Sequence, residues 1–313
     1  MAAGVQSAAA PLPTESSEWA LPAETPRLVA LGRLARKNPV GVVALIVVLG
    51  FVTLGAAQVI AQDIFGTVLA PQDPVDINAD EQFLGPSLDH PFGTNQLGND
   101  MLSRVLAGAR ISFLIGLMSV FFGFIPGAFL GIVSGYYQRW LDYVIQRGGE
   151  AWSAFPVLFL YLAFITAFGQ GLKTIAIVII ISAVFGGSRV LRAAAIVMKQ
   201  NDYVEASRAL GASEIRILIR HIVPNVMPII IVFASSIFAV SVLAEAALSF
   251  LGLGVEQGTP SWGIDLNQGL DQAKLHPHLV IFPGIAISLV VLGFNLLGDT
   301  LRDILDPRLR GSL

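Results

Sequence analysis

The sequence predicts an all-α membrane protein with six transmembrane helices and both termini in the cytoplasm. Of its 313 residues, 54% are hydrophobic and only 13% are charged, whereas an ordinary soluble domain has roughly 25% charged residues. The mean hydropathy of +0.71 agrees with that class. Six long uncharged stretches divide the chain, and Lys and Arg are concentrated in alternate connecting segments.

The six uncharged stretches are the candidate membrane spans, because a bilayer core of about 30 Å requires about 20 helical residues. The fourth has only 15 residues, so it spans only if its helix continues through Arg189 while Lys173 extends to the opposite interface. The third and fourth stretches almost touch, which predicts a tight hairpin around the sequence FGQGLK. The stretches are residues 38–62, 111–138, 151–172, 174–188, 221–244 and 275–298.

The distribution of Lys and Arg predicts the orientation, because these residues are retained on the cytoplasmic side during insertion. With the N-terminus inside, 15 of the 19 Lys and Arg residues lie in cytoplasmic segments. The four on the outer side are Arg104, Arg110, Lys173 and Lys274. The first outer loop, residues 63–110, carries seven acidic residues and four prolines, which predicts an ordered acidic surface rather than free coil.

The chain divides into four predicted regions. Residues 1–26 are rich in Ala, Pro, Ser and Glu and contain no Lys or Arg, which predicts a disordered cytoplasmic tail rather than a signal peptide. Residues 27–110 hold the first span and the long outer loop. Residues 111–299 hold the other five spans, and residues 300–313 form a cytoplasmic C-terminal tail.

Composition excludes several classes of function. The net charge is −3 and no basic tract runs through the chain, so nucleic acid is not an expected partner. The chain has no cysteine, which excludes disulfides, thiolate nucleophiles, Cys-ligated zinc and iron–sulfur centres.

Two proline sites and a glycine stripe stand out within the spans. Gly123, Gly127, Gly131 and Gly135 recur every four residues in the second span, which predicts close packing of another helix. Pro126 is expected to kink that span, and the alternative to simple packing is a mobile gating hinge. In the third span, Phe155 precedes Pro156 at a second kink site, for which packing is again the alternative to a gate.

Glu245 is an ionisable residue at membrane depth, near the outer end of the fifth span. Such residues face the protein interior or a water path. Two interpretations remain open: Glu245 lines a cavity or gate of a transport pathway, or it forms hydrogen bonds at the interface with the segment SFLGLG that follows it.

The most informative segment is the charged stretch YVEASRALGASEIRILIRHIVPN, residues 203–225, between the fourth and fifth spans. It predicts a helix from Asp202 to Leu210, a helix end or kink with positive φ at Gly211, and a second helix capped by Ser213. Pro224 is expected to end that second helix as the fifth span begins. The predicted apolar face of the second helix consists of Ile215, Leu218, Ile219 and Ile222, opposite Arg216 and Arg220.

Two surfaces can receive this pair of helices. An amphipathic pair can lie on the inner leaflet with its arginines on lipid phosphates. Asp202 and Glu205 argue against that position, because an anionic leaflet repels them. The small residues Ala206, Ser207 and Ala209 suit a helix that docks into a groove of another protein.

This stretch resembles the EAA loop of ABC importer permeases. The resemblance rests on Glu205-Ala206-Ser207, Gly211 and Pro224, with Ser207 in place of the second Ala. The segments HPFGTNQLGNDMLSRVLAGARIS, LSFLGLGVEQGTPSWG and GFNLLGDTLRDILDPRLRG are similar to the C-type subunits of the dipeptide, oligopeptide and nickel permeases.

The resemblance implies a type I ABC importer permease that translocates peptides across the cell membrane of a bacterium or archaeon. Its implied partners are a second homologous permease, two ATPase subunits that bind ATP and Mg, and an external substrate-binding protein. It implies cytoplasmic coupling helices near residues 199–223, and nickel, glutathione or haem as alternative cargoes. The residues that it assigns to ATPase coupling are Tyr203, Glu205, Ala206, Ser207, Leu210, Gly211, Ala212 and Pro224.

Other chemistry finds little support in the sequence. The nearest approach to a phosphate-binding loop is GQGLKT, which lacks the required spacing, so ATP hydrolysis is expected in partner subunits. His276 and His278 flank Pro277 without an evident third ligand, so we expect neither a metal nor a cofactor in this chain. An ion-coupled secondary transporter is the rival interpretation, but Glu245 is its single serious candidate residue and the two halves show no repeat. No nucleophile–base pair indicates a membrane enzyme.

Overall fold

The computed structural model describes residues 38–256 and 258–305, and this part of the chain is helical without a β-strand. The predicted N-terminal tail lies outside the described residues, as do residues 306–313 of the predicted C-terminal tail. In chain order the helices are α1 (Pro39–Ile64), α2 (Met101–Tyr137), α3 (Trp140–Ser153), α4 (Val157–Phe168), α5 (Leu172–Lys199), α6 (Asp202–Ala209), α7 (Glu214–Phe250), α8 (Trp262–Leu270) and α9 (His278–Leu305).

Five of these helices, α1, α2, α5, α7 and α9, are long and apolar enough to cross a membrane. The sixth candidate is the pair α3 and α4, which meet at an angle of 87°. The third span predicted over residues 151–172 is therefore bent, and the kink expected at Pro156 is confirmed. The helix changes direction at Pro156, which immediately precedes α4. Helix α4 has only 12 residues, about 18 Å of helix.

The fourth span is longer than its uncharged core. Helix α5 has 28 residues and continues past Arg189 to Lys199, which confirms the expected extension. The connection from α4 to α5 is only three residues long and contains Gly169 at φ 81° and Gly171 at φ 139°. The tight hairpin predicted around FGQGLK is confirmed, and its glycines are there because side chains disfavour these backbone angles.

The glycine stripe of α2 packs directly against α5. A Cβ added to Gly127 would collide with the backbone carbonyl of Val184, and one added to Gly131 with that of Ser188. The close-packing interpretation is thus confirmed. A π-helical turn, Ser119–Phe124, precedes Pro126, so the ladder interruption expected at the proline is taken up by a wider turn within a continuous helix.

An aromatic core joins α1, α2, α7, α8 and α9. The Phe51 ring lies 5.9–6.3 Å from the rings of Phe113, Phe238, Trp262 and Phe294, mostly edge to face. Edge-to-face contacts of this kind add to the free energy gained by burying the rings. This core holds α1, α2, α7, α8 and α9 against one another.

That loop, residues 65–100, is ordered as its prolines predicted. Asp100 caps α2 by accepting hydrogen bonds from the backbone and hydroxyl of Ser103, at 2.8 and 2.7 Å. Arg104 donates to Asp265 at 2.7 Å and to the Pro74 carbonyl at 3.0 Å, and both charged side chains are buried. We call this end of the bundle the loop end and the opposite end, which carries α6, the α6 end.

Candidate functional site

Two residues separate the end of α5 from the start of α6, and one buried apolar side chain anchors α6 to the bundle. Val204 is fully buried among Tyr136, Ile217 and Ile222. The rest of the helix is exposed or half-buried. Helix α6 is therefore seated on the bundle by one side and leaves its other faces open.

The turn after α6 has the geometry of a Schellman motif. Gly211 has φ +82°, its N–H donates to the Arg208 carbonyl at 3.0 Å, and the N–H of Ala212 donates to the Ser207 carbonyl at 3.1 Å. The expected glycine helix end is confirmed. A Cβ added to Gly211 would meet nothing within 4 Å, so the requirement for glycine comes from the backbone angle alone.

The helix after the turn is not the separate short helix that the sequence predicted. Ser213 caps it as expected, since its hydroxyl accepts from the Arg216 N–H at 3.4 Å. However, α7 then runs without interruption from Glu214 to Phe250. Pro224 does not end it, because a π-helical turn, Leu218–Ile222, precedes the proline and the α-helix resumes around it.

The apolar face predicted for this helix is also wrong in part. Ile215 and Ile219 are 64% and 63% exposed, whereas Ile217, Leu218 and Ile222 are buried. A π turn has i→i+5 hydrogen bonds, so the 3.6-residue period no longer describes which side chains share a face. Two isoleucines are thereby left on the surface near the turn.

The residues assigned to coupling form one exposed segment, apart from Pro224, which lies further along α7. Leu210 is 89% exposed at the tip of the turn. Ser207 lies 3.3 Å from the His221 Nε2 atom, and Tyr203 contacts the same ring at a centroid distance of 6.1 Å. The other members of the segment are Glu205, Ala206, Gly211 and Ala212.

A polar cluster that the sequence did not indicate connects this segment to the spans. The buried Tyr136 hydroxyl donates to the Glu214 carboxylate, and Arg208 Nε donates to the same carboxylate at 3.3 Å. The hydrogen bond to Glu214 raises the pKa of the Arg208 guanidinium above its ordinary value. Lys199 Nζ donates to the Tyr136 carbonyl at 2.6 Å. Tyr136 and Glu214 are 78 positions apart, so no local pattern could have paired them.

Helix α3 is held at the same end by a two-bond ion pair. Arg192 of α5 donates to both carboxylate oxygens of Asp142, at 2.6 and 2.7 Å, and the hydroxyl of Ser134 donates to the carboxylate at 2.5 Å. Paired N–H donors of this kind fix orientation as well as distance. The α6 ends of α2, α3 and α5 are thus joined by polar contacts.

Glu245 is fully buried in a cluster of serine hydroxyls. Ser249 and Ser261 donate to its Oε1 atom at 2.8 and 3.0 Å, and Ser112 donates to Oε2 at 3.3 Å. This geometry agrees with the hydrogen-bonding interpretation, because Ser249 is the first residue of SFLGLG. The pathway or gate role of Glu245 stays a prediction, as do the gate roles of Pro126 and Pro156.

The two histidines at the loop end are engaged in other contacts. His276 stacks on Phe83 at a centroid distance of 4.7 Å, and His278 Nε2 lies 3.3 Å from the Thr94 carbonyl. Within residues 38–256 and 258–305, no group of three or more His, Cys, Asp or Glu side chains is arranged to hold a metal ion. Nearby, burial raises the pKa of the Asp265 carboxyl above its usual value, and the adjacent Arg104 opposes that shift.

Comparisons with known proteins cover most of the chain. Residues 127–311 match the family model described as "Binding-protein-dependent transport system inner membrane component". The chain is 40% identical over 249 residues to the glutathione transport system permease protein GsiD of Escherichia coli O6:K15:H31, covering 79% of this chain and 82% of the relative. It is 42% identical over 226 residues to the protein of the same name from Pectobacterium atrosepticum, covering 72% and 75%.

Proposed function

The chain belongs to the family of binding-protein-dependent transport system inner membrane components, and from this premise we propose that it is the peptide-translocating permease subunit of an ATP-driven importer. It is a multi-pass ABC transporter permease of the peptide and glutathione transport family. We assign it to the inner membrane of a bacterium, with both termini in the cytoplasm and the α6 end facing inward. The chain supplies the path, and ATP with its Mg is bound and hydrolysed by partner subunits.

The proposed cargo is a small peptide. Glutathione, which the related permeases carry by name, is itself a tripeptide, so the relatives and the sequence resemblance point to one chemical class. Selection among peptides is assigned to an external substrate-binding protein that docks at the loop end. The ordered acidic loop between α1 and α2 supplies the surface for that contact.

A second, homologous permease is the proposed partner within the membrane. Helix α4 leaves Phe155, Phe159 and Phe168 at 60%, 63% and 70% exposure around a helix too short to span a bilayer alone. A second permease chain would cover these rings and line the path between the two subunits.

The exposed turn from Tyr203 to Ala212 is the proposed docking site for an ATPase subunit, and the exposure of Leu210 is the observation that carries this assignment. A large exposed apolar patch marks an interaction site, and Leu210 is accompanied near the same turn by the exposed side chains of Tyr203, Ile215 and Ile219. The Schellman geometry holds that tip in one orientation. Small side chains on α6 allow the helix to enter a groove closely.

Reconstitution tests the proposed function directly. The chain, a second permease, two ATPases and the external binding protein would be assembled in proteoliposomes and supplied with labelled glutathione, dipeptides and tripeptides. We expect accumulation of at least one of these peptides that requires ATP and the binding protein. Uptake without ATP, driven by an imposed ion gradient, would instead support a secondary transporter.

A further inference from the structure

Helix α6 is connected to its neighbours in two different ways. Its backbone continues through Gln200 and Asn201 into α5 and through Gly211 into α7, so α6 is covalently joined to both of these helices. It reaches α2 only through side chains, namely the packing of Val204 and a chain of hydrogen bonds. We propose that Glu214 is the positioning residue that passes a displacement of α6 to α2, with Arg208 on one side of its carboxylate and Tyr136 on the other. This proposal rests on the proposed docking of an ATPase at α6.

The carboxylate of Glu214 accepts hydrogen bonds from two side chains, Arg208 and Tyr136. Arg208, in the last turn of α6, donates to it through Nε at 3.3 Å and through Nη2 at 3.5 Å. Tyr136, in the last turn of α2, donates its hydroxyl hydrogen to the Oε2 atom. Glu214 stands at the first position of α7, so the three residues place the ends of three helices on a single acidic group.

Tyr136 belongs to the closely packed pair of helices α2 and α5. Lys199, at the end of α5, donates to the Tyr136 carbonyl at 2.6 Å and lies 5.2 Å from the centre of its ring. Further along, the glycine stripe brings the α2 backbone against the α5 backbone, as at Gly131. A shift delivered to Tyr136 is therefore applied to two spans that are too closely packed to slide independently.

The exposure of Arg208, Glu214 and Tyr136 shows whether their contacts serve to position helices or to stabilise the fold. The Arg208 and Glu214 side chains are 44% and 50% exposed, and an ion pair this accessible adds little to the stability of a folded chain. Tyr136, in contrast, is 1% exposed, so it lies too deep to touch a docked ATPase. A functional defect in a Tyr136 variant would consequently arise from transmission and not from a lost docking contact.

The test uses Tyr136→Phe, Glu214→Ala and the double variant in the complete reconstituted transporter. Phenylalanine keeps the ring and the Lys199 contact and removes only the hydroxyl. The measured quantity is the number of peptide molecules moved per ATP hydrolysed. We expect each single variant to lower this ratio at least about five-fold, the lower range of typical allosteric coupling. Because the two contacts act in series, the double variant should be no worse than the more severe single one.

Glu150→Ala is the matched control, because Glu150 is 56% exposed and pairs with Arg147 on α3, away from the α6 turn. Its transport ratio should equal that of the wild type. An unchanged ratio in Tyr136→Phe and Glu214→Ala, or independent additive losses in the double variant, would overturn the role of Glu214. Copurification of the ATPases with each variant is scored in parallel. Failure of the wild-type chain to retain ATPases would overturn the docking proposal itself, whereas an intact complex with an unchanged ratio would overturn only the connection through Glu214.

Discussion

Replacing Gly211 with valine isolates the contribution of the α6 turn. Gly211 has φ +82°, a conformation that costs an L-residue about 1–2 kcal/mol. No heavy atom lies within 4 Å of an added Cβ, so no collision increases that cost. A penalty of about 1.4 kcal/mol lowers the equilibrium constant for forming the native turn about ten-fold. We therefore expect the variant chain to insert normally, while cargo-stimulated ATP hydrolysis by the complex falls by up to about ten-fold.

The assay compares ATP hydrolysis with and without cargo-loaded binding protein in proteoliposomes. Gly211→Asn is the first control, because asparagine tolerates the left-handed conformation, and it should retain most of the stimulation. Gly66→Val is the second, since Gly66 has φ +66° and equally open surroundings but lies at the loop end. Stimulated hydrolysis and uptake at wild-type levels in Gly211→Val would refute the view that a fixed turn geometry is needed at α6.

Three further predictions concern the glycine stripe, the buried ion pair at the loop end and the tip of the α6 turn. Gly127→Val should push α2 away from the α5 backbone and lower the free energy of unfolding by about 1–3 kcal/mol, which would reduce the yield of folded complex in detergent. Gly50→Val should leave that yield unchanged, because the space around Gly50 is open. Asp265→Asn should lower the free energy of unfolding by about 3–5 kcal/mol, because it leaves the buried Arg104 without its charged partner. Adding Arg104→Met to the same chain should restore most of that loss. Leu210→Asp should leave thermal stability unchanged, since the side chain is 89% exposed, but should reduce copurification of the ATPases. Full retention of the ATPases by this variant would contradict the proposed docking surface.

The sequence was sufficient for the features that depend on local chemistry. The positive φ at Gly211, the cap at Ser213 and the glycine contacts of α2 all follow from what single residue types can do at short spacing. The extension of α5 past Arg189 followed from the length that a span requires. These expectations needed no knowledge of the tertiary fold.

The expectations that failed depended on helix register and on partners distant in sequence. A regular 3.6-residue period assigned Ile215 and Ile219 to the buried face, and a π turn moved them to the surface. The sequence alone predicts that Pro224 ends the helix, but a preceding π turn lets α7 continue through it. The contact between Tyr136 and Glu214 joins helices 78 positions apart, so it became visible only when the bundle was assembled.

A cross-linking measurement at the tip of the turn tests the central claim most directly. The chain has no native cysteine, so Leu210→Cys introduces a single thiol at the tip of the turn, where Leu210 is 89% exposed. In membranes that contain the complete complex, a short thiol-to-amine cross-linker should join this position to an ATPase subunit. Absence of that adduct, together with labelling of the thiol by a membrane-impermeant maleimide added from outside the cell, would contradict the account.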